Sequence, residues 1–384
     1  ERRLADAEWI PLTASSSSGL RIHVYHVQLE KDVPAEAFRY LTEDVLAAVT
    51  RWLSTALRVR PVVGNLFLDQ RTGGWKCGDM TVPVAHFGGY EGIPDADFVL
   101  YVRASDDDVC SGGPTLGYAA SCHMDQFDRP IAGYLTFCKN RVTDAEVDWD
   151  SDVAVTTHEI THALGFSSHL FPFFRKDDGT PRTPRDRWGL PPYAGGRYIA
   201  AATTIEPQVI DGSLKHFVTL PRVVDAARQH YGCETLRRVP LEEAGGDGSA
   251  FSHWDGREFY SELMTPVISD FVRYSRVTLA LFEDSGWYLP DYSTAGPFHF
   301  GADKGCAFVD NDCVSGGVSS FPDTFCTSED VRLCSSNTAG GVAGCTHDLL
   351  GRALCVMCRH AAPLPSHFQH FTDPTLGGDR LYMG

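Results

Sequence analysis

Twelve cysteines in 384 residues, five before residue 300 and seven after it, constrain what this chain can fold into more than any other feature. A reduced cytosolic enzyme rarely carries so many unless they hold metal, and only Cys355 and Cys358 form a C-x2-C pair. A disulfide framework in an oxidising, extracellular setting is therefore expected, with the protein secreted or attached to the cell surface. A 43% hydrophobic and 22% charged composition can supply two or three cores. Fifty acidic against 33 basic side chains give a formal charge of −17, which argues against nucleic acid or an anionic membrane face as partner. No apolar run is long enough to cross a bilayer. The opening E-R-R-L-A-D-A-E-W lacks the shape of a signal peptide, so a mature form with its leader removed is expected. No N-x-S/T sequon occurs.

Along the chain, Leu20 to Val27 alternates apolar and polar residues and reads as a half-buried strand. Between Pro34 and Pro61, Phe38, Leu41, Val45, Val49, Leu53 and Leu57 recur at steps of three and four, the stripe of a core-facing helix. Residues 97–102 and 131–138 read as two more strands flanking a Gly- and Ser-rich stretch with Cys110 and Cys122. Acidic and Ser residues open a helix at Asp150, and Gly165 ends it. Residues 176–197, dense in Asp, Gly, Pro and Arg, mark an irregular segment and a boundary near 168. Further helices are expected over 221–231 and about 272–285, followed by a loop-rich, disulfide-stapled region.

The chemistry lies on the helix over 150–164. His158, Glu159 and His162 form H-E-x-x-H, whose four-residue spacing sets both imidazoles on one face, in reach of one ion. Glu159 sits too far round the helix to complete the ligand set; in such sites it takes a proton from the attacking water. A catalytic zinc needs a third protein ligand and an open fourth position. A thermolysin-like layout would take a Glu from a following helix, yet none occurs between His162 and Glu206. In the metzincin layout, H-E-x-x-H-x-x-G-x-x-H, the glycine lets the chain turn and a third His follows three residues later, with a Met-containing turn beneath. Gly165 is present, but the last position is Ser168, and His169 misses it by one residue. His216, His230 and His253 are the later candidates. Of these, His253 opens a stretch in which E-L-M-T-P, with Met264 eleven residues on, resembles a Met-turn.

Taken together, these motifs resemble the leishmanolysin family of metzincin zinc endopeptidases, which places its third His after a long insertion. H-E-I-T-H-A-L-G-F-S, then S-H-W with E-L-M-T-P, then L-A-L-F-E-D-S-G-W-Y follow in that family's order. So do C-G-D-M-T-V-P-V-A-H at 77–86, D-F-V-L-Y-V at 97–102, A-S-C-H-M-D-Q-F-D-R-P-I-A-G at 120–133, G-C-A-F-V-D-N-D-C at 305–313 and F-T-D-P-T-L at 371–376. The resemblance implies an α+β, metzincin-like zinc protease in three parts. These are an N-terminal catalytic subdomain over 1–167, a central subdomain over 168–309 bringing the third His and the Met-turn, and a Cys-rich C-terminal domain over 310–384. It implies one Zn2+ held by His158, His162 and His253, Met264 as support below, and a zinc-activated water with Glu159 as general base, acting on protein or peptide substrates. It further implies that an edge strand matching Gly133, Tyr134 and Leu135, within 133–137, pairs with extended substrate. Such proteins are made with an inhibitory pro-segment, and some carry a lipid anchor; the last domain is expected to be cut short at Gly384. If the first four cysteines pair among themselves, Cys233 must reach into the late block, unless truncation leaves a thiol over. The competing reading is a surface binding or adhesion protein on an inactive protease scaffold.

Overall fold

The alternating run near the start becomes β1 (Ile22–Tyr25), shorter than its pattern, and the apolar stripe after it becomes a long helical segment. That segment runs as α1 (Ala35–Arg39), a π-helical stretch Tyr40–Leu46 and α2 (Ala47–Ala56). Leu41, Val45, Val49 and Leu53 are fully buried, as their spacing demands. Leu57 does not continue the helix. It is extended and starts a short strand, Leu57–Val59, paired with Ser18–Gly19 and Leu289–Pro290. The helical spacing of Leu57 is therefore coincidental, and pairing with two other segments overrides it.

The computed structural model describes residues 8–111, 115–142, 148–210, 213–243, 250–267, 273–315, 318–322, 324–325, 331–333, 343–345, 352–354, 357–364, 369 and 371–377. The start of the helix expected at 272 and the side chains of the C-x2-C pair, Cys355 and Cys358, lie outside the described residues.

The main sheet adds β2 (Phe98–Ser105), β3 (Gly117–Met124) and β4 (Pro130–Cys138), in the order β1-β2-β4-β3. β1, β2 and β4 are parallel, with Ile22 opposite Phe98 and Val99 opposite Ala132, while β3 runs antiparallel to β4 and forms an edge. Strand β2 is apolar at nearly every position because both of its faces are covered. On one side Val99 and Tyr101 join Leu66, Leu68, Phe87 and Ile93 in a layer built from the segment that precedes β2. On the other side lies α3 (Trp149–Leu164), packed on β3 and β4. Asp148 caps α3 by accepting from Ser151 N at 3.2 Å, and Asp150 and Asp152 complement the positive end of the helix.

The strand expected to be an edge is not one. Gly133, Tyr134 and Leu135 lie on β4, which is hydrogen-bonded to β2 on one side and β3 on the other, so its main chain is already paired. Gly133 has a packing role instead: a Cβ there would come within 2.8 Å of the Phe98 ring, 2.9 Å of Ala120 O and 3.0 Å of Ala163 Cβ on α3.

By its contacts the chain divides into two compact units. The first spans 1–226, 237–256 and 261–296, so residues on both sides of the expected boundary at 167 share one unit. It also contains the hairpin β5 (Ile205–Ile210) and β6 (Ser213–Val218), most of the helix α4 (Pro221–Tyr231) and α5 (Arg276–Asp284). Within it, buried Asp284 accepts from Arg222 N and Val223 N at the start of α4. Gly286, at φ +75, is required: a Cβ would lie 2.6 Å from Arg175 O.

The second unit spans 227–236, 257–260 and 297–384. Phe300, Phe308, Phe321 and Phe325 form its aromatic core, and His230 stacks on Phe298 and donates from Nε2 to Phe300 O at 2.8 Å. Cys77–Cys122 and Cys110–Cys138 bridge the first four cysteines, and Cys233 joins Cys306, as that condition required.

Two stability predictions follow from this packing. Gly133→Val should lower unfolding free energy by about 1–3 kcal/mol through overpacking against α3, measured by denaturant titration. The second concerns His230, whose imidazole is pushed down to about 4, mainly by burial. Its folded pKa lies below the unfolded value, so the unfolded chain binds the proton first. The contribution is complete above about pH 6.5 and is lost as pH falls toward 4, by no more than about 3 kcal/mol. His230→Phe should flatten that part of the stability profile.

Candidate metal centre

Helix α3 carries His158 and His162 one turn apart on the same face, and His253 meets them there. The three Nε2 atoms form a nearly equilateral triangle: 3.0 Å between His158 and His162, and 3.1 Å from each to His253. His253 is stacked on His158 at an interplanar angle of 23°, while His162 stands nearly perpendicular to both.

Backbone carbonyls fix the tautomers. His158 donates from Nδ1 to Leu263 O and His162 from Nδ1 to Phe166 O, each at 2.7 Å. A neutral imidazole has one proton, so these two Nε2 atoms present lone pairs to the centre. Burial and the neighbouring imidazoles also suppress protonation, holding His158 down to about 3 and His162 well below its usual value. Lone pairs crowded this closely need a cation between them. A tetrahedral ion with bonds of about 2.0–2.1 Å spaces its ligands by about 3.3 Å, close to the triangle observed. The donor set therefore fits zinc.

The carbonyl that accepts from His162 comes from the turn after Gly165. Gly165 serves this turn through space: a Cβ would press to 3.0 Å from the Phe282 ring. Ser168 stands where a compact motif would place the third His. Its N–H donates to Ser252 Oγ at 3.0 Å, and the Ser252 hydroxyl donates to Ser168 Oγ at 3.2 Å. The insertion over 169–251 thus leaves and returns at one point, and the residue after its return is His253.

Glu159 approaches the sheet edge. The N–H of Ala119 on β3 bonds to its carboxylate, yet desolvation outweighs that bond and pushes the carboxyl up to about 8. A Cβ on Gly117 would lie 3.8 Å from Glu159 Cγ, so small residues on β3 let helix and strand come close. Ahead of β3, Cys138 N donates to Leu116 O. The antiparallel alternation then turns Tyr118 and Ala120 toward β4, leaving the N–H and C=O of Gly117, Ala119 and Ser121 outward.

The other histidines stand elsewhere. His169 is exposed, His216 packs its ring on Phe251, and His230 belongs to the second unit. Met264 is fully buried, with its carbonyl accepting from Trp254 N at 2.9 Å. The feature not foreseen from the sequence is β3, whose G-Y-A-A-S-C-H-M has Tyr118 as its one strong strand former. Its available signal was placement between two cysteines and ahead of a strand it could pair with.

Comparison with known proteins gives a consistent picture. The family model described as leishmanolysin matches residues 21–384. A leishmanolysin-like peptidase of Caenorhabditis elegans is 31% identical over 411 residues, covering 92% of this chain and 61% of that protein. One from Drosophila melanogaster is 31% identical, over 94% of this chain and 60% of its own length. Leishmanolysin of Leishmania major is 30% identical, over 98% and 58%. The chain thus spans about three-fifths of the length of these relatives.

Replacing His253 by Ala should weaken zinc binding by more than the roughly 10–100-fold typical of groups that only orient ligands. His169→Ala and His216→Ala should leave it unchanged. Chelator competition on the purified variants measures all three.

Proposed function

Since the chain belongs to the leishmanolysin family, we propose that it is a zinc-dependent endopeptidase acting on protein or peptide substrates, with His158, His162 and His253 as ligands of one Zn2+. The observation that carries this reading is the buried triangle of imidazole nitrogens. Zinc, when bound there, supplies Lewis-acid polarisation of the scissile carbonyl and lowers the pKa of the attacking water.

Glu159 is the general base. It follows the first ligand on α3, and its burial raises the affinity of the carboxyl for a proton. It takes the proton of the attacking water and returns it to the leaving amine. Met264 closes the site from below as part of a buried turn.

The extended substrate lies along β3. The outward groups of Gly117 and Ser121 and the carbonyl of Ala119, whose N–H serves Glu159, offer main-chain hydrogen bonds to an added strand, in place of the paired Gly133, Tyr134 and Leu135. The small side chains of Gly117, Ala119, Ala120 and Ser121 leave room for that strand. The twelve cysteines and three described disulfides favour action outside the cell. No helix among the described residues is long and apolar enough to cross a membrane.

Glu159→Ala should retain one zinc per chain and lose cleavage of a denatured protein by roughly 10²–10⁴-fold. Metal analysis and a chelator-controlled digest test this together. A variant that still cleaves near the parental rate excludes Glu159 as the base, and a zinc-loaded parent that cleaves nothing favours the inactive-scaffold reading.

A further inference from the structure

We propose that Glu262 is a positioning residue for the metal centre: its buried carboxylate holds the turn that orients two of the three histidines. This deepens the reading of His158, His162 and His253 as a metal site and rests on it.

Glu262 is fully buried, and its carboxylate accepts from three donors. Oε2 accepts from Met264 N at 2.5 Å, while Oε1 accepts from Ser275 N at 3.0 Å and from the Thr278 hydroxyl. Burial pushes the carboxyl up, and these donors pull it back. A buried carboxylate is costly unless its lone pairs are taken, and here they are taken by both sides of one turn. The Met264 bond closes residues 262–264 on themselves. The Ser275 and Thr278 bonds tie that loop to the first turn of α5, where the Ser275 hydroxyl also caps the helix.

Two routes lead from this carboxylate to the ligands. In the first, Leu263, between Glu262 and Met264, presents the carbonyl that accepts from His158 Nδ1. If that carbonyl shifts, the His158 tautomer and ring orientation lose their fixed point. In the second, Trp254 directly follows His253. Its backbone N–H donates to Met264 O at 2.9 Å, and its indole Nε1 donates to Thr278 Oγ1 at 2.8 Å. The Thr278 hydroxyl therefore receives from the residue beside one ligand and gives to Glu262. One carboxylate thus links the two histidines that come from distant parts of the chain, 95 positions apart.

Neutral replacement cannot reproduce this. A Gln amide in one orientation sets its NH2 against Met264 N–H, and in the other against Ser275 N–H, so it loses a bond in either case. Thr278→Val keeps the side-chain shape but removes the hydroxyl relay.

The test measures zinc affinity by chelator competition, and the absorption spectrum of the Co2+-substituted protein, for the parent, Glu262→Gln, Thr278→Val and Leu53→Ala. Glu262→Gln should raise the zinc Kd roughly 10–100-fold and alter the Co2+ spectrum, with Thr278→Val changing both in the same direction by less. Leu53→Ala, a cavity in the distant α2 core, should lower the thermal midpoint yet leave the zinc Kd within about twofold. If Glu262→Gln does not fold, Thr278→Val decides. Folded variants with parental zinc Kd and parental Co2+ spectrum would overturn the proposal and leave Glu262 a purely structural residue. A parent whose zinc binding survives loss of His158, His162 and His253 would overturn the metal-site reading itself, and this proposal with it.

Discussion

Three imidazole nitrogens held 3.0–3.1 Å apart, two of them turned inward unprotonated by their Nδ1 bonds, are the constraint on which the rest of the site depends. Without a cation, such an arrangement sets lone pairs against each other in a buried place, so the protein must impose it. The groups that meet His158 and His162 directly are backbone carbonyls. Two carbonyls, Leu263 O and Phe166 O, receive the Nδ1 protons, and each belongs to a tight turn whose position is set by packing. Orienting ligands by main-chain acceptors fixes tautomer and ring direction at once.

His253 shows how an insertion of more than eighty residues can sit within a metal site without loosening it. Ser168 and Ser252 join at the mouth of the insertion, and Glu242 N donates to His253 O. The ligand is thus held by short-range contacts on both sides, and the intervening chain can fold as β5, β6 and α4. Loop closure over such a length costs only slightly more than over a short one, because the entropy grows with the logarithm of length. The interactions at the point of return decide whether the ligand is usable.

Much of this was legible in the sequence. The H-E-x-x-H spacing identifies its helix and two of the three clustered histidines because a four-residue step is a geometric statement, and α3 runs as expected from its acidic start to Gly165. Strands 97–102 and 131–138 appear as β2 and β4 because buried parallel strands read as continuous apolar runs. The third histidine of the cluster was not legible from spacing: nothing in the residues before His253 states that the chain returns there, and only the order of several motifs suggested it. The edge assignment failed for a physical reason. β4 looks like a strand because it is buried between two others, and burial is incompatible with being an edge. The true edge, β3, is written in Gly, Ala and Ser.

That weak strand is informative about how the sheet edge is held. A strand with small side chains and one open side has little intrinsic reason to stay in register. It is held instead at both ends by covalent bonds. Cys122 on β3 is joined to Cys77 in the layer beneath the sheet, and Cys110, just before β3, is joined to Cys138 at the end of β4. With sequence separations of 45 and 28, each bridge contributes about 3–4 kcal/mol in the chain-entropy account. These disulfides thus stabilise the segment that lies against Glu159. A side chain at Gly117 would press on Thr136 O, 3.0 Å from its Cβ, and reach Glu159, so the edge gains little from side-chain packing there. Cross-links placed outside the contact surface resolve that conflict, and this explains why four of the five early cysteines gather on and around two strands.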